Sequence, residues 1–333
     1  MGRQKLLRLS ASILLLIFAA GISFAQEKKN LRVVFTSLAW NNEIPFRVAL
    51  ARGFFKQQGL QIEPILIRGG PAAMAALASG EVDFAQIGGA QAVMRSRARG
   101  LEVSIIGSIS NATNYQLIGA KATRSLEDLK GKILGVTGAG AFSDFALRTF
   151  LRRQGIDPDR DVTLRAIGGS ALRATALERN IVAGAPFTPE DTVRLTRSGF
   201  PMIANLSDTL NIPQSIVATR NEVLEKMPDT AKRFLKAFIL GIQFARGNKV
   251  EAIKAGYDGG LRGEPDIINQ AYQLYAPALT ADLSLNVAGF QFMLDEDKRG
   301  GLIDGKFTLE RVINDRILKI AQQELRAEGR LKP

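Results

Sequence analysis

One pattern constrains this chain more than any other: short apolar segments alternate with segments of helical spacing, and most of the junctions carry glycine. Residues 31–35, 60–67, 82–87 and 103–109 read as strands, and Pro45 to Gly59, Pro71 to Gly80 and 91–99 read as the helices between them. Apolar runs of this length bounded by turn residues are buried strands. Helices joining them through short loops make βαβ units and a mostly parallel sheet. Pro45 and Pro71 suit first helical turns, where no backbone N–H is needed, so residues 36–42 read as a loop after the first strand.

The pattern restarts at Tyr115, with strands at 116–120, 132–136, 162–167 and 181–185 and a helix at 143–154. Ser125, with Asp128 three residues on, has the spacing of a capping box that introduces a further short helix. The halves also resemble each other. Gly69-Gly70-Pro71-Ala72-Ala73 and Gly168-Gly169-Ser170-Ala171-Leu172 each follow a strand and open a helix, which leads to another short strand. Two α/β units are expected, with one such helix N-terminus in each. Beyond Pro213 come a strand-like run at 215–218 and helices at 228–246, 264–275, 287–298 and 309–326. Their basic residues are interspersed with acidic ones, as on solvated helix faces, so no nucleic-acid partner is expected.

The chain has 333 residues and neither Cys nor His. Disulfides, thiolate nucleophiles, iron–sulfur ligation, a Ser-His-Asp triad and an ordinary zinc site are thereby excluded. At 46% apolar and 23% charged residues it has the composition of a folded globular protein. The formal charge is +12, which bears on solubility and the sign of partners rather than on fold. Arg3, Lys5 and Arg8 precede an apolar stretch from Ile13 to Ala20, and Ser23-Phe24-Ala25 has the small-x-small form that precedes signal-peptidase cleavage. Cleavage after Ala25 would remove three of the 44 basic residues and none of the 32 acidic ones, leaving +9. The residue after the cut is Gln26, not the Cys of a lipid anchor. The mature protein is therefore expected to be soluble in a periplasm.

In open parallel sheets ligands bind beyond the C-terminal strand ends, where helix N-termini present free N–H groups and partial positive charge. The turns at those ends supply the candidate ligand-binding residues: Ser37, Leu38 and Trp40; Gly70; Gly89 and Ala90; Asn111; Thr137, Gly138, Ala141 and Phe142; Gly169 and Ser170. Thr137-Gly138-Ala139-Gly140-Ala141 lacks the third glycine and the distal acid of a dinucleotide fingerprint, and it lacks the Gly-Lys-Ser/Thr of a phosphate loop. Trp40 reads either as core or as an aromatic wall of a cleft. Arg68 could clamp an acidic ligand or pair with a surface acid, and Glu43 reads as a solvated helix-cap residue or as a general base.

Pro45-x3-Ala49-x3-Gly53-Phe54-Phe55-x3-Gly59-Leu60, followed by Ala76-Leu77-Ala78-Ser79-Gly80-Glu81-Val82-Asp83-Phe84-Ala85, resembles the periplasmic solute-binding proteins of the nitrate/sulfonate/taurine ABC family, which includes relatives that bind thiamine-pyrimidine precursors. Asp128-Leu129-Lys130-Gly131-Lys132 before a strand and a small-residue turn is similar to the same family. The resemblance implies a type II periplasmic-binding fold, with two mixed sheets flanked by helices and a ligand cleft between two lobes. One lobe would hold residues 26–113 and 217–333, the other 114–216, with crossings near 110–115 and 210–215. It also implies capture of a small organic solute (a sulfonate, carboxylate or heteroaromatic precursor) by hinge closure, delivery to an ABC permease and ATPase, a monomer, and no enzymatic activity, cofactor or metal. The family's cleft loops correspond to the turns above and, in the second lobe, to Phe187. There the sequence departs from the family, with Glu178-Arg179-Asn180-Ile181-Val182-Ala183-Gly184-Ala185-Pro186-Phe187 in place of a Gly-x-x-Asp-Ala-like step. The fungal pyrimidine synthases that resemble the family consume an active-site His and use Cys-rich iron chemistry, neither of which this chain can supply. Another enzyme of the same fold with a carboxylate base, or a ligand sensor without transport, are the alternatives.

Overall fold

In the computed structural model, residues 30–331 are described, and the expected signal segment lies outside them. The first sheet is built by β1 (Asn30–Phe35), β2 (Gln61–Leu66), β3 (Phe84–Gly88) and β4 (Val103–Ser110), joined through α1 (Trp40–Ala51), α2 (Phe54–Gln57), α3 (Gly70–Ala78) and α4 (Gln91–Ala98). The chain then enters a second sheet with β5 (Gln116–Gly119), β6 (Ile133–Val136), α5 (Phe142–Arg153), β7 (Thr163–Ala166), α6 (Ser170–Glu178), β8 (Gly184–Phe187), α7 (Pro189–Arg197) and β9 (Met202–Asn205). It returns to the first sheet as β10 (Ser215–Arg220). Six helices follow: α8 (Asn221–Lys226), α9 (Pro228–Gly247), α10 (Lys249–Asp258), α11 (Pro265–Tyr275), α12 (Val287–Arg299) and α13 (Arg316–Ala327).

The strand orders are β2-β1-β3-β10-β4 and β7-β6-β8-β5-β9. In each, two parallel pairs are joined to an antiparallel strand lying next to a crossing between the sheets: β10 against β3 and β4, β5 against β8 and β9. The two Gly-Gly turns thus occupy equivalent places, β2 to α3 and β7 to α6. The crossings run from Ser110 to Gln116 and from Asn205 to Ser215, so the C-terminal strand ends of both sheets face a common cleft.

β3 and β4 are almost wholly buried, which explains their continuous apolar runs. α9 crosses α1 where Gly241 sits; a Cβ there would lie 2.5 Å from the Pro45 carbonyl oxygen and 2.7 Å from Ala49 Cβ. Only glycine permits that approach.

Several sequence expectations need correction. The first helix begins at Trp40, so Trp40, Asn41 and Asn42 are helical and Pro45 lies inside α1. Ala39, extended at the N-cap, donates its N–H to Ser37 Oγ at 2.9 Å, and the first helical N–H, that of Trp40, is accepted by Glu190 at 3.1 Å, so the helix starts ahead of the proline. The strand expected at 181–185 is Gly184–Phe187. Asn180 takes φ 55°, and the N–H groups of Ile181 and Val182 fold back onto the Ala176 carbonyl, so pairing starts only at Ala183. The helix expected at 309–326 is interrupted. Val312 and Asn314 bond to Ile105 of β4, and the helix starts at Arg316. Ser125 and Asp128 exchange the capping-box bonds, at 3.0 and 3.3 Å, around a single 3₁₀ turn rather than a helix. α7, α10 and β9 were not anticipated.

Candidate functional site

The N-termini of α1 and α7 meet across the cleft. Thr188 at the N-cap and Pro189 at the first position set α7, which places Glu190 at its second residue. Glu190 Oε1 accepts the backbone N–H of Trp40 at 3.1 Å, a bond from one lobe to the other. Burial, reinforced by neighbouring Asp191, raises the Glu190 pKa to about 7, and the N–H donors and the Thr188 hydroxyl at the helix start offset only part of this. Its second oxygen, Oε2, is buried without a hydrogen-bond partner.

One turn along α1, Glu43 is 1% exposed, so it is not a solvated cap. Burial raises its pKa to about 8 against the opposing pull of Arg47, whose Nη2 lies 3.3 Å from Glu43 Oε2. Gln86 of β3 donates to the Asn42 carbonyl and lies 3.5 Å from Glu43 Oε1. Its own carbonyl oxygen is left unpartnered, as are Asn41 Oδ1 and Ser215 Oγ. Thr36, Ser37, Glu43, Gln86 and Ser215 line one narrow pocket at this place. Asn41 Nδ2 reaches Asn114 Oδ1, in the first crossing, at 3.0 Å.

The opposite face is organised by Arg173 of α6, which is 2% exposed. Its guanidinium donates to Thr137 Oγ1 at 2.6 Å, to the Gly168 carbonyl at 2.8 Å and to the Pro186 carbonyl at 3.2 Å, and it lies 5.6 Å from the Phe187 ring centroid. All three acceptors are neutral. Tyr115 and Phe142 pack with ring centroids 5.7 Å apart, and the phenol of Tyr115 is raised above its ordinary pKa, chiefly by burial. Ser170 Oγ and Tyr275 OH are further buried groups without a partner.

The lobes touch over this surface. A Cβ at Gly89, where φ is +78°, would lie 2.6 Å from Phe142 Cδ2, and one at Gly169 would lie 3.8 Å from Arg68 Nη1. Among the sequence candidates, Ser37, Gly89, Thr137, Phe142, Gly169, Ser170 and Phe187 are brought to the cleft or directly behind its walls, and Ala90 is the buried N-cap of α4. Trp40 contributes its backbone. Its indole is core: it fills the space left by Gly256, packs on Tyr257 at 4.8 Å and donates to the Arg262 carbonyl at 2.8 Å.

The other candidates fall outside this group. Gly70 is where α3 passes α4, a Cβ there lying 2.6 Å from Ala92 Cβ. Ala141 caps α5, nothing lies within 4 Å of a Cβ at Gly138, and Leu38 is 41% exposed. Asn111, at the start of the first crossing, bonds the Ser284 carbonyl at 2.7 Å. Glu190, Arg173, Gln86, Asn114 and Tyr275 were missed. Only Glu190 had a local signal, the helix-start sequence Thr188-Pro189-Glu190-Asp191.

Two sheets in these strand orders, with a polar cleft between the C-terminal ends of their strands, define the two-lobed periplasmic-binding-protein fold. Residues 40–252 match the family described as NMT1/THI5 like, and the chain belongs to that family. A putative binding protein of Brucella abortus is 24% identical, the match covering 76% of this chain and 77% of that protein. The riboflavin-binding protein RibY of Chloroflexus aurantiacus is 22% identical (72% and 71% covered), and a 4-amino-5-hydroxymethyl-2-methylpyrimidine phosphate synthase of Saccharomyces cerevisiae is 25% identical (69% and 71% covered). Among solved structures, a Bordetella bronchiseptica protein superposes with TM-score 0.77 at 20% identity, over 90% of this chain and 98% of that one. The alkanesulfonate-binding protein SsuA of Xanthomonas axonopodis bound to MOPS gives 0.71 at 16% (89% and 98% covered), and the nitrate-binding protein NrtA of Synechocystis gives 0.71 at 12% (91% of both).

Proposed function

We propose that this chain is the solute-capturing component of an ABC importer, exported after cleavage at Ala25 and closing its lobes on a small heteroaromatic solute that carries N–H donors. The observation that carries this reading is the chemistry of the unpaired groups at the cleft. Asn41 Oδ1 and Gln86 Oε1 are buried acceptors without a donor, and Glu190 Oε2 joins them once the carboxyl is ionised. Each costs about 1–3 kcal/mol while it stays unsatisfied. A ligand presenting N–H groups to both lobes would recover that cost only in the closed state, and such a differential drives hinge closure. The names of the riboflavin-binding and pyrimidine-synthase relatives support an aromatic heterocycle. The permease and ATPase are the partners this role requires. The turns at Ser37, Gly89, Thr137, Gly169 and Ser170 would supply further polar contacts, with Phe142 and Phe187 as apolar wall.

A second reading, an anionic solute such as a sulfonate or carboxylate, is favoured by Arg173, a buried cation for which no ion pair is found among the described residues. A thermal-shift screen of the purified protein separates the two, with aminopyrimidines and flavins in one arm and sulfonates, carboxylates and nitrate in the other. Stabilisation by the first arm alone is expected. Stabilisation by the second alone would replace the heteroaromatic reading, and none by either would overturn solute capture. The bound solute should leave the protein chemically unchanged; a product would make the chain an enzyme.

A further inference from the structure

Both walls of the cleft are incomplete, and in opposite senses. On the first lobe, Asn41 Oδ1 and Gln86 Oε1 are buried acceptors that lack a donor. On the second, Arg173 is a cation at 2% exposure whose hydrogen bonds all end on neutral oxygens, and its Nη2 makes no hydrogen bond among the described residues. One wall lacks hydrogen-bond donors, and the other lacks a negative charge.

Arg173 reaches the cleft through Thr137, which directly follows β6 and accepts Arg173 Nη1 on its Oγ1 at 2.6 Å. The same Oγ1 shares a hydrogen bond with Ser143 Oγ at 3.0 Å, and the Thr137 N–H donates to that Ser143 oxygen at 2.9 Å. Two hydroxyls bring two protons, and only one fits between them. The other has no acceptor among the described residues. Ser143 is 1% exposed whereas Thr137 is half-buried, so the spare proton is the one Thr137 offers to the cleft. A hydroxyl that accepts from a guanidinium is polarised by it and donates more strongly. Ser170, at the start of the same helix as Arg173, adds a buried Oγ without a partner. Tyr115, its phenol raised chiefly by burial, interacts electrostatically with both Arg173 and Glu190. The cationic wall and the Glu190 carboxyl therefore lie within reach of one ring.

We propose that the solute is amphoteric: a heteroaromatic ring with N–H donors toward the first lobe and an anionic substituent set against Thr137 and Arg173 of the second. This rests on the importer reading and narrows its solute class. A neutral heterocycle would pair the first lobe's acceptors and leave the buried guanidinium without a counter-charge. A simple anion would answer the guanidinium and leave those acceptors unpaired. A solute with both ends completes both walls, and it does so only when the lobes are closed. Its orientation is fixed as well, because an anion against Asn41 Oδ1 and Gln86 Oε1 would meet acceptors alone. A hydrogen bond to a charged group outweighs a neutral one, so the acidic form of the solute should bind about 10- to 100-fold more tightly than its neutral parent.

Calorimetric titration with matched pairs tests this: 4-aminopyrimidine against 4-aminopyrimidine-5-carboxylate, 2-aminopyridine against 6-aminonicotinate, and riboflavin against riboflavin 5′-phosphate. In the pair whose ring fits, the acid should be preferred by at least about tenfold. Thr137→Val should cut that preference to within about threefold, and Thr137→Ser, which keeps the hydroxyl, should retain it. Thr137 is the better probe because it is half-buried, whereas replacing Arg173 empties a buried site; melting curves establish that both Thr137 variants fold. A ring bound equally well or better without its acidic group overturns the proposal and leaves solute capture standing. A preference for the acid that survives intact in Thr137→Val overturns it too. Binding by no member of any pair is failure of the heteroaromatic reading itself, and the proposal falls with it.

Discussion

Glu190 should make the lobe angle depend on pH. In the closed cleft its pKa is about 7 against an ordinary 4.5, a difference of roughly 2.5 units. At about 1.4 kcal/mol per unit, ionising it in place costs roughly 3 kcal/mol. Opening the cleft rehydrates the carboxylate and relieves that cost. Between pH 4.5 and 7 the closed state keeps a proton that the open or unfolded state has lost, so closure is favoured most below that window. The advantage declines as pH rises through about 7 and is flat above it. From pH 5 to 8 the closed-to-open ratio should fall by on the order of 100-fold from this group alone.

Glu190→Gln keeps an oxygen for the Trp40 N–H and cannot ionise, so it should remove that component. The radius of gyration from small-angle scattering across pH 5 to 8 reads the angle directly. Trp40, the sole tryptophan, bonds Glu190 through its own backbone and gives a fluorescence readout of the same event. A parent with no pH response, or a Glu190→Gln variant as responsive as the parent, would refute the reasoning.

Three further outcomes are expected. Gly89→Ala places a methyl group 2.6 Å from Phe142 Cδ2 at a backbone angle of φ +78°. It should enlarge the radius of gyration and weaken solute binding at a folding cost of only about 1–2 kcal/mol, whereas unchanged scattering would show that the lobes do not meet there. Arg173→Met removes three hydrogen bonds from a buried guanidinium and should destabilise the protein by about 3 kcal/mol in denaturant titration; Arg173→Lys should not restore it, because an ammonium lacks the planar fork. Trp40→Phe gives up the 2.8 Å bond to Arg262 and part of the volume above Gly256, at about 2 kcal/mol. Solute affinity should stay within a few-fold, and a far larger loss would return the indole to the cleft wall.

Most strands and helices were legible because their signals are local. An apolar run bounded by glycine is a buried strand wherever it folds, and Gly69-Gly70 and Gly168-Gly169 end strands and open helices in both lobes. The errors arose where a distant or unread partner decided. Pro45 marks a helix start by propensity, yet α1 starts five residues earlier at Trp40, whose N–H is accepted by the distant Glu190. Residues 312–314 have helical spacing, yet β4 captures their backbone.

The sequence by itself determined the alternating α/β architecture, its division into two similar units, the family resemblance, and the chemistry closed to a chain without Cys or His. Only the tertiary structure decided which polar groups matter. Glu43 and Glu190 are ordinary carboxylates in the sequence, and Arg173 is one arginine among many. Burial separates them from the rest, because the cost of a charge or an unpaired acceptor depends on the water that tertiary packing excludes: Gln86 and Arg47 enclose Glu43, Thr137 and Pro186 enclose Arg173, and Glu190 meets Trp40, 150 positions away, across the two lobes.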